Sequence, residues 1–228
     1  LLEPDALRFL VEAIEEKELD CIFFGGKTFY ETNALSSIHQ SYAAYYGYRL
    51  SCEKVMSGPD LFTILNQSKE FRASACMQMS KAELIRKNNI WFYDGIFFED
   101  ELYTLEVLLR SQKCMTIQEQ FYIRRIREGS TVTSTVTISR LVGYLVDYAE
   151  SVKLLEQFNL TTPQYNAVYQ VLDIFLYHIR KFYFALSGDE RLWVYAFCTS
   201  SQKCVYTTLV KLFNSAKANT GSSALQDK

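Results

Sequence analysis

The sequence predicts an α/β fold for residues 1–137 and an all-helical extension for residues 138–228. Three observations predict this fold class. A helical pattern at residues 4–17 is followed by a short apolar run, Asp20–Gly25, which is typical of a strand buried on both faces. Helical and strand-like patterns then alternate up to residue 127. Beyond Thr137, apolar residues recur with a period of about 3.6, which indicates helices.

The first helix is predicted over residues 4–17, with Pro4 near its first turn. Its buried face is expected to carry Leu7, Leu10, Val11 and Ile14. Residues 42–50 are rich in aromatic side chains and are predicted to be extended. A second helix is predicted from Gly58 to Gln67, because a proline and an early acid suit a first turn.

The rest of the α/β part has weaker local signals. Its predicted elements are a strand at 74–79, a helix at 81–87 capped by Ser80, a loop at 90–98, a helix at about 99–111, and strands at 113–117 and 120–127. In the extension, Pro163 and Gly188 are expected to separate the helices. The last helix is predicted over about 201–214, with a loose tail from about residue 215.

Composition and charge limit the classes of function. A hydrophobic share of 49% and a charged share of 22% are typical of a folded globular protein. The formal net charge of -2 provides no strongly basic surface, so nucleic acid is not expected as a partner. The most membrane-like segment, residues 167–186, contains Asp173, Arg180 and Lys181 and therefore predicts an amphipathic helix.

Metal-binding patterns are not evident in the sequence. Its six cysteines form no Cys-x-x-Cys pair, and the two histidines, His39 and His178, have no partners at ligand spacing. We expect buried free thiols in a reducing cytoplasm, His39 on a surface loop and His178 on a helix face.

Three consecutive acids, residues 99–101, follow two phenylalanines and begin a predicted helix. Acids in a first turn complement the helix dipole, which is a purely structural role. One of them is also suited to remove a proton from a sugar hydroxyl. The helix N-terminus lowers the pKa of such a carboxylate, whereas burial under Trp91, Phe97 or Phe98 raises it, and the sequence leaves the balance open.

The basic cluster of the α/β part is Arg124, Arg125 and Arg127. If residues 120–127 form a strand, Arg125 and Arg127 share one face and Arg124 lies on the other. Paired guanidinium groups suit a diphosphate, because they donate bidentate hydrogen bonds and stay charged. A solvated strand edge that discourages sheet pairing is the alternative.

Four segments together resemble family 2 glycosyltransferases of the GT-A fold, which act in bacterial cell-surface polysaccharide synthesis. The segments are Leu2-Glu-Pro-Asp-Ala-Leu7, Asp20-Cys-Ile-Phe-Phe-Gly25, Gly95-Ile-Phe-Phe-Glu-Asp-Glu-Leu-Tyr-Thr104 and Tyr122-Ile-Arg-Arg-Ile-Arg-Glu-Gly-Ser130. The resemblance covers residues 1 to about 134. It implies a partial GT-A-like mixed sheet with flanking helices, followed by the helical extension.

The resemblance also implies an activity and a set of site residues. The activity is inverting transfer of a sugar, of hexosyltransferase type, from a nucleotide-sugar donor to a glycan or lipid-linked acceptor. Asp100 is the expected base and Glu99 the second choice, with acceptor-side aromatics before them and arginines near the donor diphosphate. The acceptor-side residues are Trp91, Tyr93 and Phe98; the diphosphate-side residues are Arg125, Arg127, Arg124 and Ser130.

The family uses a divalent metal, Mn²⁺ or Mg²⁺, held by an Asp-x-Asp motif that this sequence lacks. In the family, that motif directly precedes a segment resembling residues 2–7. We therefore expect the nucleotide-binding part to be missing and this chain alone to be inactive.

The resemblance implies a cytoplasmic protein. The extension carries an aromatic stripe, Tyr165, Tyr169, Phe175, Phe182 and Tyr183, which is typical of a helix-packing surface. The alternatives are that this stripe contacts the inner face of the membrane or that it mediates homo-oligomerisation. The competing function is a non-catalytic glycan-binding or oligomerisation module.

Overall fold

The computed structural model describes residues 1–38, 41–47, 50–128 and 138–223. These described residues form two compact units. The first unit takes them from 1–93, 100–128 and 158–169, and the second from 94–99, 138–157 and 170–223.

A mixed sheet forms the centre of the first unit. Its strands in the described part of the chain are β1 (Cys21–Tyr30), β2 (Cys52–Met56), β3 (Gln78–Ser80) and β4 (Cys114–Ile126), in the order β2-β4-β1-β3. Strand β1 pairs in parallel with β4 and antiparallel with β3, and β2 pairs antiparallel with β4. The first residues of the chain extend this sheet, because Leu2 forms an antiparallel bridge with Tyr122.

Strand β1 confirms the prediction of a strand buried on both faces. Its first six residues are buried, and the strand continues beyond the predicted end at Gly25 to Tyr30. At Gly26 a Cβ atom would lie 2.9 Å from the carbonyl oxygen of Tyr122. Glycine therefore allows β1 and β4 to approach closely where their register shifts.

Helices flank the sheet. Up to residue 110, the described chain contains α1 (Ala6–Glu16), α2 (Asn33–Ile38), α3 (Ser41–Tyr46), α4 (Gly58–Gln67), α5 (Ala82–Asn88) and α6 (Glu99–Arg110). Helix α1 packs Leu10 and Ile14 against Ile22 and Phe24 of β1 and Met115 of β4. This apolar cluster supports one face of the sheet.

Several local predictions were wrong. The strand predicted over 74–79 is a 3-10 helix at Ala75–Met77 followed by β3, and the strands predicted over 113–117 and 120–127 are the single strand β4. Residues 41–46 form helix α3 instead of an extended segment, which suits the helix-favouring Ala43 and Ala44. Ser80 ends β3 and donates its hydroxyl to the Cys21 sulfur at 3.2 Å, so it does not cap α5. The expected inner face of α1 is shifted, because Leu7 and Val11 are exposed whereas Ala6 is buried.

The helical region that follows confirms the predicted fold class. Its helices are α7 (Ile138–Leu155), α8 (Thr162–Ala185), α9 (Gly188–Phe197) and α10 (Ser200–Ser223). Pro163 lies in the first turn of α8. Ser187 and Glu190 form a reciprocal capping box at the start of α9. Helix α10 runs beyond the predicted end near residue 214.

None of the described helices is both long enough and apolar enough to span a bilayer.

Candidate functional site

The three acids at the start of α6 have different surroundings. Glu99 is exposed, whereas Asp100 and Glu101 are partly buried. Burial, and then the negative charge of Asp100, raises the pKa of Glu101 to about 8. At neutral pH Glu101 is therefore mostly protonated.

Tyr45 of α3 lies close to these carboxylates. Burial, followed by the charges of Glu101 and Asp100, raises the pKa of Tyr45. The guanidinium of Arg72 lies 5.3 Å from the centre of the Tyr45 ring, and its Nε donates to the Tyr45 carbonyl oxygen at 2.8 Å. The Tyr45 side chain therefore interacts with two acids and one cation.

Arg72 holds this end of α3 in place. Besides Tyr45, its Nη1 donates to the carbonyl oxygens of Lys69 and Phe71 at 2.9 and 2.8 Å. It also forms an ion pair with the buried Glu70, at 3.7 Å. Because Arg72 satisfies three backbone acceptors at once, it links α3 to the segment that follows α4.

A series of aromatic contacts runs from Tyr45 to the arginines of β4. Tyr45 packs edge-to-face on the buried Tyr46, with ring centroids 5.1 Å apart. Tyr46 contacts the Tyr122 ring at 5.9 Å and the guanidinium of Arg124 at 5.9 Å. Arg124 is also hydrogen-bonded to the Tyr122 side chain. Helix α3 therefore connects the acids of α6 with the basic end of β4.

This basic end borders an open cavity of about 800 Å³. The cavity is lined by Leu1, Lys27, Thr28, Phe29, Tyr122, Ile123, Arg124 and Arg125. Lys27 forms an ion pair with Glu3, and Arg125 forms one with Glu31 at 3.4 Å. The Nε of Arg124 is buried and makes no hydrogen bond within the described part of the protein. The cavity thus combines three cations with an unused guanidinium donor.

The predicted arginines are only partly brought together. Arg124 and Arg125 both line the cavity. Strand β4 ends at Ile126, one residue before Arg127, and both Arg125 and Arg127 are exposed. Ser130, like His39, lies outside the described residues.

The predicted acceptor-side aromatics differ in their exposure. The Trp91 side chain is 64% exposed, and its Nε1 donates to Asn89 at 2.8 Å. Tyr93 is partly buried. The Phe98 ring is stacked on Tyr144 of α7, with centroids 4.3 Å apart. Of the three, Trp91 presents the largest exposed aromatic surface.

Sequence reasoning did not assign Tyr45, Tyr46 or Lys27 to the site. Tyr42, Tyr45 and Tyr46 have the i, i+3, i+4 spacing of one helix face, which would have indicated a helix. Lys27 carried no comparable signal, because its position depends on pairing between β1 and β4.

The divalent metal that the resemblance implies does not fit the residues present. Within the described segments, His, Cys, Asp and Glu side chains form no group of three or more that could hold a metal ion.

Comparisons with known proteins show the fold. A structure of S. aureus TarS 1-349 in complex with UDP-GlcNAc matches with a TM-score of 0.51 and 14% identity, covering 93% of this chain and 53% of that chain. The same protein in complex with UDP matches with a TM-score of 0.47 and 12% identity, covering 93% of this chain and 52% of that chain. No family model and no curated protein sequence matches.

The likeness to the first TarS structure agrees with the GT-A-like fold class expected from the sequence. This chain spans about half the length of that structure.

Proposed function

We propose that this chain forms the acceptor side, and part of the donor side, of an inverting nucleotide-sugar glycosyltransferase. The observation that carries the proposal lies within the first unit. There, Tyr45 and Tyr46 link the carboxylates of Asp100 and Glu101 to the cavity lined by Arg124. The fold shared with TarS, solved with UDP-GlcNAc, supports a nucleotide sugar as the donor.

In the proposed reaction, Asp100 accepts the proton of an acceptor hydroxyl. The acceptor oxygen then forms a bond to the anomeric carbon while the bond from that carbon to the diphosphate oxygen breaks. The attack occurs opposite the leaving group, so the configuration inverts. The products are the glycosylated acceptor, the nucleoside diphosphate and one proton, which is held first by Asp100.

The environments of the acids favour Asp100 as the base. Because the pKa of Glu101 is about 8, this side chain is mostly protonated at neutral pH and cannot accept another proton. It can instead donate a hydrogen bond. Glu99 is exposed to water and stays the second choice.

Arg124 and Arg125 are proposed to bind the leaving diphosphate. Negative charge grows on the diphosphate oxygens during transfer, and guanidinium donors stabilise that charge. The buried Nε of Arg124 is suited to this role because it has no hydrogen-bond acceptor among the described residues. Lys27 adds a third positive charge at the same cavity.

The acceptor is proposed to be a glycan or a lipid-linked sugar that meets Trp91 and Tyr93. A flat, exposed indole covers the apolar C–H face of a sugar ring while leaving its hydroxyls hydrated. The exposure of Trp91 supports this role. The proposed setting is the cytoplasmic side of cell-surface polysaccharide synthesis.

Titration with UDP, by calorimetry, tests the donor side. We expect Arg124→Ala to weaken UDP binding about 10- to 100-fold, since a hydrogen bond to a charged group contributes about 1.5–3 kcal/mol. Arg86→Ala is the matched control, because Arg86 is exposed on α5 and does not line the cavity. Equal affinity in all three proteins would contradict the assignment of Arg124.

A further inference from the structure

Phe98 has an unusual backbone conformation directly before α6. Its φ angle is +70°, in the left-handed region that aromatic residues rarely adopt. The other non-glycine residues with positive φ in the described chain are polar: Asp5, Glu18, Lys69 and Asn89. A strained conformation of this kind persists only where its surroundings hold it, and such strain is concentrated at functional sites.

Stacked side chains of the second unit hold the Phe98 ring. The ring lies 4.3 Å from the Tyr144 ring at an interplanar angle of 25°. Tyr144 in turn stacks on His178 at 4.6 Å and 7°. The Arg140 guanidinium lies 5.9 Å from the centre of the Phe98 ring. Phe98 therefore belongs to an ordered column that includes helices α7 and α8.

The adjacent Gly143 leaves space for the backbone of the same loop. A Cβ atom at this position would lie 2.3 Å from the carbonyl oxygen of Phe97 and 3.4 Å from Cδ2 of Phe98. No side chain fits there without moving the peptide. Gly143 and Tyr144 thus hold consecutive residues of the loop, one by allowing close approach and the other by stacking.

We infer that Gly143 and Tyr144 are positioning residues that hold Phe97 and Phe98 in the conformation from which α6 begins. Helix α6 starts with Glu99 and Asp100, so the loop that they hold leads directly into the proposed catalytic carboxylates. We call the contacts of Gly143 and Tyr144 with residues 97 and 98 the clamp. The effect of the clamp on catalysis rests on the proposed function, whereas the clamp itself does not. Phe98 then acts through its packing, and Trp91 and Tyr93 remain the residues proposed to bind the acceptor sugar.

Hydrogen exchange of residues 95–104 tests the clamp without reference to activity. We expect Tyr144→Leu to raise the exchange rate of these amides about tenfold or more, because the stacked column is lost. Tyr144→Phe keeps the ring and should keep the protection. Gly143→Ala should act like Tyr144→Leu, with Gly188→Ala as its control, because a Cβ atom at Gly188 meets nothing within 4 Å.

Kinetics separate positioning from simple packing. We expect Tyr144→Leu to lower kcat about 10- to 100-fold with little change in KM for the donor, and Tyr144→Phe to restore kcat. Unchanged exchange in folded Tyr144→Leu would overturn the clamp. Faster exchange with unchanged kcat would overturn the positioning role. Absence of transfer by the wild-type protein would instead count against the proposed function, and exchange would still decide the clamp.

Discussion

Glu101 and Asp100 are neighbours in sequence but differ in what they can do. Burial, and then the charge of Asp100, raises the pKa of Glu101 from its ordinary value of 4.5 to about 8. The difference comes from burial, which the sequence could not locate within the acidic triplet. Three similar side chains thus have different surroundings because of the positions that α6 gives them.

The raised pKa of Glu101 predicts how stability depends on pH. The folded protein binds this proton more tightly than the unfolded chain, so the stabilisation is full below about pH 4.5 and is lost as pH rises through about 8. Glu101→Gln should remove the part of the loss of unfolding free energy that this proton causes, and should make the protein more stable than wild type near pH 8. Urea unfolding at a series of pH values measures the unfolding free energy of both proteins. If the two free energies depend on pH in the same way, the prediction is contradicted.

Arg72 provides a second prediction at this scale. Arg72→Ala leaves the carbonyl oxygens of Tyr45, Lys69 and Phe71 without this donor, and leaves the buried Glu70 without its cation. We expect a loss of about 3 kcal/mol or more of unfolding free energy. Urea denaturation measures the change, with Arg86→Ala as control. Equal losses for both variants would show that Arg72 does not anchor α3.

At the scale of elements, Gly58 explains how α4 approaches α6. A Cβ atom on Gly58 would lie 1.7 Å from the carbonyl oxygen of Leu108, and the Gly58 amide donates to the carbonyl oxygen of Ser111 at 2.8 Å. The sequence predicted α4 correctly from Gly58 to Gln67. It could not show that this glycine is also a contact point between helices.

Gly58→Ala is therefore predicted to destabilise the protein by about 3 kcal/mol, because backbone atoms must move apart. Gly188→Ala, at the start of α9, should be close to neutral or slightly stabilising, because its Cβ meets no other atom and alanine favours helix. Thermal unfolding compares the melting temperatures of Gly58→Ala and Gly188→Ala with that of wild type. A similar shift of the melting temperature in both variants would contradict the close contact at Gly58.

The elements that were predicted correctly have local signals. Strand β1 begins with a continuous apolar run, and α6 begins with a cluster of acids and carries regularly spaced leucines. Helix α3 was missed because tyrosine is favoured in strands, although the spacing of its tyrosines is that of one helix face. The end of β4 before Arg127 depends on its partner strands and has no local marker.

For the whole molecule, the order of strand-like and helical patterns was enough to predict the fold class. The candidate site was harder to predict, because its residues are separated by up to about 100 positions in the chain. The sequence identified Asp100, Arg124 and Arg125 as candidates. It could not place Tyr45 and Tyr46 between them, since that arrangement depends on how α3 packs against β4.

Sugar transfer is the most direct test of the proposed function. The measurement is release of UDP from UDP-GlcNAc by the full-length protein and by its Asp100→Asn variant, with added Mn²⁺ or Mg²⁺ and a glycan or lipid-linked acceptor. We predict that the unsubstituted full-length protein transfers the sugar and that Asp100→Asn is slower by about 10²- to 10⁴-fold while still binding UDP. Equal transfer by the two proteins would contradict Asp100 as the base. A wild-type protein that binds glycan but neither binds nor cleaves the nucleotide sugar would contradict the transferase function itself.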